Sequence, residues 1–259
     1  MCGLVGILFG SKDRTRSELD YFIKVFAYLL LLSEERGPHA TGVAWLKRNG
    51  KHRLLKQPQK AIQFVRDKSF LDFLASVDSD VTWLAGHTRW QTVGDASNNA
   101  NNHPLLAGSI VGTHNGHISN ADSLFARLKL PRSAEVDSEI IFRMADDTLC
   151  DGHIDIAAFK KQLALCSGRI SAVMASVICP EEVVIIKGNM PLEIRYSKAH
   201  QIAIYASDAR YLDIALAGQS DWKSVGLSPM RIATFTCDCL TASTCEPFDL
   251  AHCNWRDRC

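Results

Sequence analysis

At 259 residues, with 47% hydrophobic and 22% charged positions, the chain has the composition of a globular protein able to bury a substantial core. Its formal net charge of +1 and lack of like-charge runs give no electrostatic reason for nucleic acid or an acidic membrane as partner. The densest apolar run, Val25 to Leu32, is too short to span a bilayer and lies outside a signal-peptide layout. Nine cysteines, an odd number clustered toward one end, do not suit a secreted disulfide scaffold, so a reducing cytoplasm is expected.

In chain order, Gly-Leu-Val-Gly-Ile-Leu-Phe after Cys2 is short, apolar and partly β-branched, and predicts a buried strand. Ser17 to Arg36 follows helical spacing, with Ser17 and Asp20 suited to a capping box and Gly37-Pro38 as the stop. Thr41 to Lys47 and His52 to Lys56 predict a hairpin around Asn49-Gly50. Helical patches at 59–66 and 68–76 precede a strand over Val81 to His87. Thr88 to Gly108 is polar, Asn-rich and aperiodic, a long loop of the kind that usually carries function. A strand over Ser109 to Thr113 then stops at His114-Asn115-Gly116. Helices are predicted at 120–129, 137–148, 155–166 and 208–217, and strands at 170–178, 183–187, 192–196, 202–206 and 230–237. The pattern alone supports an α+β domain of about 240 residues, with packed sheets covered by helices.

The chemistry centres on Cys2. If Met1 is removed, Cys2 carries a thiol and a free α-amine on one carbon. The amine, with an ordinary pKa of about 7.7–8.0, can act as base for its own thiol, and no histidine partner is needed. The competing reading is a small apolar residue in a buried strand. Four other stretches fit the same task. Arg89 follows a strand and could grip a carboxylate through two parallel hydrogen bonds, or be a solvated loop arginine. Asn115-Gly116 could be a plain turn, or an oxyanion hole made of a side-chain amide and a glycine N–H. Asp137 suits a helix N-cap or a ligand ammonium. Arg36 could simply complement a helix dipole.

In combination and order, Met-Cys-Gly-Leu-Val-Gly-Ile, Arg-Gly-x-x-x-x-Gly at 36–42, Gly-His-Thr-Arg-Trp-x-Thr at 86–92, His-Asn-Gly at 114–116 and Asp-Ser-Glu at 137–139 resemble class II glutamine amidotransferases. These are N-terminal-nucleophile hydrolases, and the glutaminase domains of glucosamine-6-phosphate synthase and amidophosphoribosyltransferase are the nearest in feel. Ala206-Ser207-Asp208 and the strand from Arg231 resemble that domain's closing strands. The resemblance covers about residues 2–237 and leaves 238–259 as a cysteine-containing tail.

The resemblance implies a four-layer αββα fold and hydrolysis of the side-chain amide of L-glutamine. Cys2 would attack the amide carbon, and Asn115 with the Gly116 N–H would hold the oxyanion. Arg89 would bind the substrate carboxylate, Asp137 its ammonium, and Thr92 would add a hydrogen bond. Trp90 would belong to a mobile lid, His103 to a motif near the site, and Arg36 would support the nucleophile. The released ammonia would pass to a separate synthase subunit. No cofactor is implied.

Val93 and His39-Ala40 depart from the synthase-type pattern without removing a proposed catalytic group. The cysteines at 237, 239, 245, 253 and 259 match no zinc spacing, and no metal site is expected. Another N-terminal-nucleophile amidase, or a non-catalytic regulatory relative, are the alternatives; Arg89 with Asp137 argues against the first and intact Cys2, Asn115 and Gly116 against the second.

Overall fold

The structure, a computed structural model, describes residues 2–251. Its strands and helices follow one another as β1 (Gly3–Phe9), α1 (Arg16–Ser33), β2 (Ala40–Lys47), β3 (His52–Gln57), α2 (Ala61–Phe64), α3 (Lys68–Ala75), β4 (Val81–Arg89), β5 (Leu105–Ala107) and β6 (Ile110–Ile118). Then come α4 (Ala121–Leu128), α5 (Glu139–Asp147), β7 (Leu149–Cys150), β8 (His153–Ile154), α6 (Ile156–Leu163), β9 (Gly168–Ser176) and β10 (Glu182–Lys187). The chain continues through β11 (Glu193–Ser197), β12 (Ile202–Ala206), α7 (Ala209–Ala215), β13 (Trp222–Ser224), β14 (Arg231–Thr236) and β15 (Cys239–Pro247).

Two antiparallel sheets carry the architecture. One has the order β13-β11-β12-β1-β4-β2-β3, the other β15-β14-β10-β9-β6-β5. Three apolar layers fill the gaps between four structural ones. Leu4, Leu8, Trp83, Val173, Ile185 and Phe235 pack between the sheets. Phe22, Phe26, Phe64, Phe70 and Leu212 join the first sheet to α1, α2, α3 and α7. Ile140, Phe142, Phe159, Ile170 and Val184 join the second to α4, α5 and α6. The α+β, four-layer αββα expectation is met. Because inner faces bury apolar residues on both sides, central strands read as continuous apolar runs instead of alternating ones.

β1 sits in the middle of its sheet, between β12 and β4, and every residue of it is buried. Gly6 is needed there, because a Cβ would lie 2.3 Å from the Tyr205 ring and 2.5 Å from the Leu84 carbonyl. Tyr205 in turn accepts a hydrogen bond from Trp83 Nε1 at 3.1 Å, so the two largest side chains between the sheets pack with their polar atoms satisfied.

Several boundaries differ from expectation. The capping box of α1 lies two residues earlier: Thr15 is the N-cap, its Oγ1 accepting from the Glu18 amide while Glu18 accepts from the Thr15 amide. The sequence offers Thr-x-x-Glu as well as Ser-x-x-Asp, and the longer Glu side chain reaches back where Asp does not. Residues 34–36, expected as helix, form a tighter 3-10 turn. β6 does not stop at Thr113 but runs through His114, Asn115 and Gly116 to Ile118, paired with β9. Within the segment read as a tail, Cys239–Pro247 is β15, hydrogen-bonded to β14. Cys253 and Cys259 lie outside the described residues.

Replacing Thr15 by Ala removes the cap and should cost about 1 kcal/mol, whereas Ser17→Ala, at an exposed position with no capping role, should cost little. Urea midpoints of the two variants test the assignment; equal losses would contradict it.

Candidate active site

The two sheets bring the candidate residues to one seam. Cys2 precedes β1. Arg36 ends the turn after α1, and its Nε donates to the Cys2 carbonyl at 2.9 Å. From the other sheet, Asn115 Nδ2 donates to the same carbonyl at 2.8 Å and to Ser207 Oγ at 2.8 Å. Asn115 is fully buried in mid-strand, so the plain-turn alternative fails. Its Oδ1 is buried without a partner. Both amide protons are thus committed, one to the main chain of Cys2.

The Cys2 thiol accepts from the Trp90 amide at 3.2 Å. Burial raises its pKa, while that amide and the nearby Arg89 guanidinium pull the other way. The thiol opens on a cavity of about 500 Å³. The long loop contributes Trp90, Thr92 and Val93 to its wall, and the six-stranded sheet Gly116, His117 and Arg169. Gly116 has φ +144°, and a Cβ there would lie 1.9 Å from the Arg169 carbonyl, so only glycine fits.

Asp137 is not an N-cap. α5 begins at Glu139 after Ser138, and Asp137 Oδ2 instead accepts from the Ile118 amide at 2.6 Å, with His117 Nδ1 at 3.4 Å. This anchors its carboxylate next to Gly116 and His117. Trp90 is 45% exposed and lies 5.2 Å from the His39 ring, so its indole is outside the core.

Arg89 is buried, not a solvated loop arginine. Its Nη1 donates to Asn102 Oδ1 at 2.8 Å, and its Nη2 to the carbonyls of Val93 and Gly94 at 2.5 and 2.8 Å. The loop's asparagines have the same use: Asn102 Nδ2 holds the Ala96 carbonyl and Asn101 Nδ2 the Asp95 carbonyl. These side chains replace the secondary structure that the segment lacks.

Behind the cavity lie three buried histidines. His103 stacks on His87, ring centroids 4.4 Å apart, and His87 Nε2 faces the His114 carbonyl at 3.2 Å. His114 Nδ1 meets Ser138 Oγ at 2.8 Å and its Nε2 the Arg169 carbonyl at 3.2 Å. Burial depresses all three pKa values, His87 to about 3. His103 therefore stands near the site as a neutral packing residue, both ring nitrogens unpartnered. Ser207, His117 and Arg169 were not picked out from sequence as site residues. Only Ser207 had a signal there, in Ala-Ser-Asp; the register Gly116↔Ile170 and His117↔Arg169 is what brings Arg169 in.

No protein-family model matches the chain. It is similar to glutamine–fructose-6-phosphate aminotransferase (isomerizing) of Helicobacter pylori, 29% identical over 206 residues covering 76% of this chain and 31% of that protein. The same enzyme of Caulobacter vibrioides is 33% identical over 172 residues, 65% of this chain and 25% of that one. The chain thus matches a third or less of the length of these curated relatives. Among solved structures, the glutamine phosphoribosylpyrophosphate amidotransferase of B. subtilis superposes with a TM-score of 0.69 at 18% identity, over 96% of this chain and 49% of that one. A glutamine aminotransferase class-II domain protein from Silicibacter pomeroyi gives 0.57 at 16%, over 95% and 99%. The resemblance to class II glutamine amidotransferases is borne out by the sequence relatives, and the four-layer fold by the structural ones.

The histidines make stability pH-dependent. Folded His87 binds its proton at about 3, against 6.5 ordinarily, so between these values the unfolded chain holds a proton that the folded one does not. Above pH 7 His87 contributes nothing. As pH falls below 6.5, stability should drop with a slope approaching about 1.4 kcal/mol per pH unit, and His103 acts in the same direction. Urea midpoints at pH 7.5, 6 and 5 measure this. His87→Gln should flatten the curve, and a midpoint constant from pH 7.5 to 5 in the parent protein would contradict it.

Proposed function

We propose that this chain hydrolyses the side-chain amide of L-glutamine through Cys2, as the glutaminase part of a class II amidotransferase. The observation that carries the reading is a cysteine thiol open to a cavity, with its own carbonyl clamped by Arg36 from the turn after α1 and by Asn115 from β6. Similarity to enzymes whose names include glutamine supports the substrate.

With Met1 removed, the Cys2 amine takes the thiol proton as the sulfur bonds to the amide carbon. The resulting oxyanion is held by the Gly116 N–H and by Asn115, which must release Ser207 Oγ to donate. Collapse expels ammonia, which leaves with the proton returned by the amine. Water, activated by the same amine, then cleaves the thioester to glutamate. Asp137 receives the substrate ammonium. Arg89 receives the carboxylate by exchanging the Val93 and Gly94 carbonyls for a charged, stronger acceptor, which couples binding to rearrangement of the Trp90 loop. Thr92 supplies a further hydrogen bond from the cavity wall.

Arg169 favours a second reading of the carboxylate site. It is exposed at the cavity wall, whereas both terminal nitrogens of Arg89 are engaged. Whichever arginine binds the carboxylate, its replacement by Ala should raise KM more than it lowers kcat.

We also propose that ammonia passes to a separate synthase subunit docking over the loop, supported by the exposure of Trp90 and Val93 at the cavity. The described cysteines are all unpaired, which supports a reducing, cytoplasmic setting. No helix of the described residues is long and apolar enough to cross a membrane.

Cys2→Ala, or forced retention of Met1, should abolish ammonia release from glutamine while leaving the urea midpoint intact. Coupled detection of glutamate measures it, and normal turnover by protein shown by mass spectrometry to keep Met1 would sink the mechanism. Asp137→Asn separates charge from shape. Asn still accepts from the Ile118 amide, so folding should survive while glutamine KM rises at least tenfold; an unchanged KM would leave Asp137 with a purely structural task.

A further inference from the structure

β9 carries Arg169 at one end, in the cavity, and seven residues on it leaves the sheet, roughly 23 Å away, toward Cys179. At that far end the tight β7–β8 hairpin packs against the turn that joins β9 to β10. Gly152, at φ +85°, is so close to Ile178 that a Cβ would lie 2.6 Å from its Cγ2. The hairpin presents His153. The turn presents Cys179 and, three residues on, Glu182, whose amide bonds back to the Cys179 carbonyl at 3.3 Å. His153 Nδ1 lies 3.3 Å from Cys179 Sγ and 3.2 Å from Glu182 Oε2, and all three donor atoms fall within 4.8 Å of one another.

We propose that His153, Cys179 and Glu182 form a binding site for Zn²⁺ that clips the β7–β8 hairpin to the β9–β10 turn. Zinc bonds of about 2.0–2.1 Å to nitrogen, 2.3 Å to thiolate and 2.0–2.2 Å to carboxylate place tetrahedral ligand pairs roughly 3.3–3.6 Å apart. The two separations from Nδ1 already approximate those edges. The Cys179–Glu182 edge closes by side-chain rotation, which the exposure of His153 and the partial exposure of the others permit. One imidazole, one thiolate and one carboxylate match Zn²⁺, not the all-oxygen preference of Ca²⁺ or Mg²⁺. Binding releases the thiol proton to solvent, and water fills the fourth position. The sequence hides this set because its members are 26 and 3 residues apart with no repeated spacing, while attention falls on the cysteines after 237.

The test uses full-length protein carrying Cys2→Ala, which removes the cavity thiol as a competing ligand. Metal-free protein is titrated with Zn²⁺ against a chromogenic chelator at pH 7.5. One equivalent should bind in the parent and be lost in both Cys179→Ser and His153→Ala. Co²⁺ as a spectroscopic probe should give a thiolate charge-transfer band that Cys179→Ser abolishes. At about a hundredfold excess of free Zn²⁺ over its Kd, Tm should rise by roughly 5 °C or more in the parent and not in the variants. The apo Tm of each variant checks that it folds, and Glu182→Gln stands in for any that does not. Absence of a bound equivalent in the parent would overturn the proposal. So would an equivalent, Co²⁺ band and Tm shift that persist in the variants, since the metal would then lie on other cysteines.

Discussion

The Cys2 carbonyl accepts one hydrogen bond from each half of the sandwich, and the geometry of the whole site depends on that pair. Arg36 reaches it from the turn behind the seven-stranded sheet, and Asn115 from the middle of β6 in the six-stranded one. A chain end is ordinarily the least ordered part of a domain. Here Cys2 is held by the central strand β1 that follows it and by two side-chain donors on its carbonyl. The sulfur is left only rotations about its own bonds, and the Trp90 amide narrows those further. If Cys2 is the nucleophile of the proposed function, it is oriented before substrate arrives, which is where enzymes gain much of their rate.

The same seam explains how much polar material is buried close to the cavity. His87, His103 and His114 remain neutral because burial outweighs every contact that favours their protonation. A charged histidine beside Arg89 would cost more than packing could offset. As a neutral ring, His114 ties β6 to the start of α5 through its contact with Ser138. General-base duty does not fall to them: ring nitrogens that are unpartnered or facing carbonyls are not turned toward the thiol. The glutaminase proposal accordingly assigns the base to the amine of Cys2 and asks nothing of these three rings.

Arg89 shows a tension between holding and binding. It organises a loop with little regular structure by donating to three of that loop's oxygens, and in the proposed function the same donors would have to leave those oxygens to meet a substrate carboxylate. A side chain used in both ways couples loop order to ligand occupancy, since forming one set of bonds releases the other. The asparagines of the loop supply the part of its order that does not depend on Arg89.

Local chemistry written in the sequence carried the class of fold, most elements, the cysteine at position 2 and the motifs grouped around it. Continuous apolar runs mark the buried strands and helical apolar spacing marks α1, because burial acts on each residue independently of its partners. Gly6 and Gly116 were legible as glycines but not for their reasons, a Tyr205 ring and an Arg169 carbonyl from distant strands. The exact cap of α1 depended on which of two local boxes has the reach to close. Continuation of β6 through Asn115, and β15 in the supposed tail, required knowing that a neighbouring strand was there to pair with. Tertiary structure alone decided that Asp137 binds a backbone amide instead of capping a helix, that Arg89 is already occupied, and that Arg169 faces the cavity. The first two turn on which donor meets which acceptor once the loops are folded, the third on the register of β9 against β6, and none of these leaves a period in a sequence.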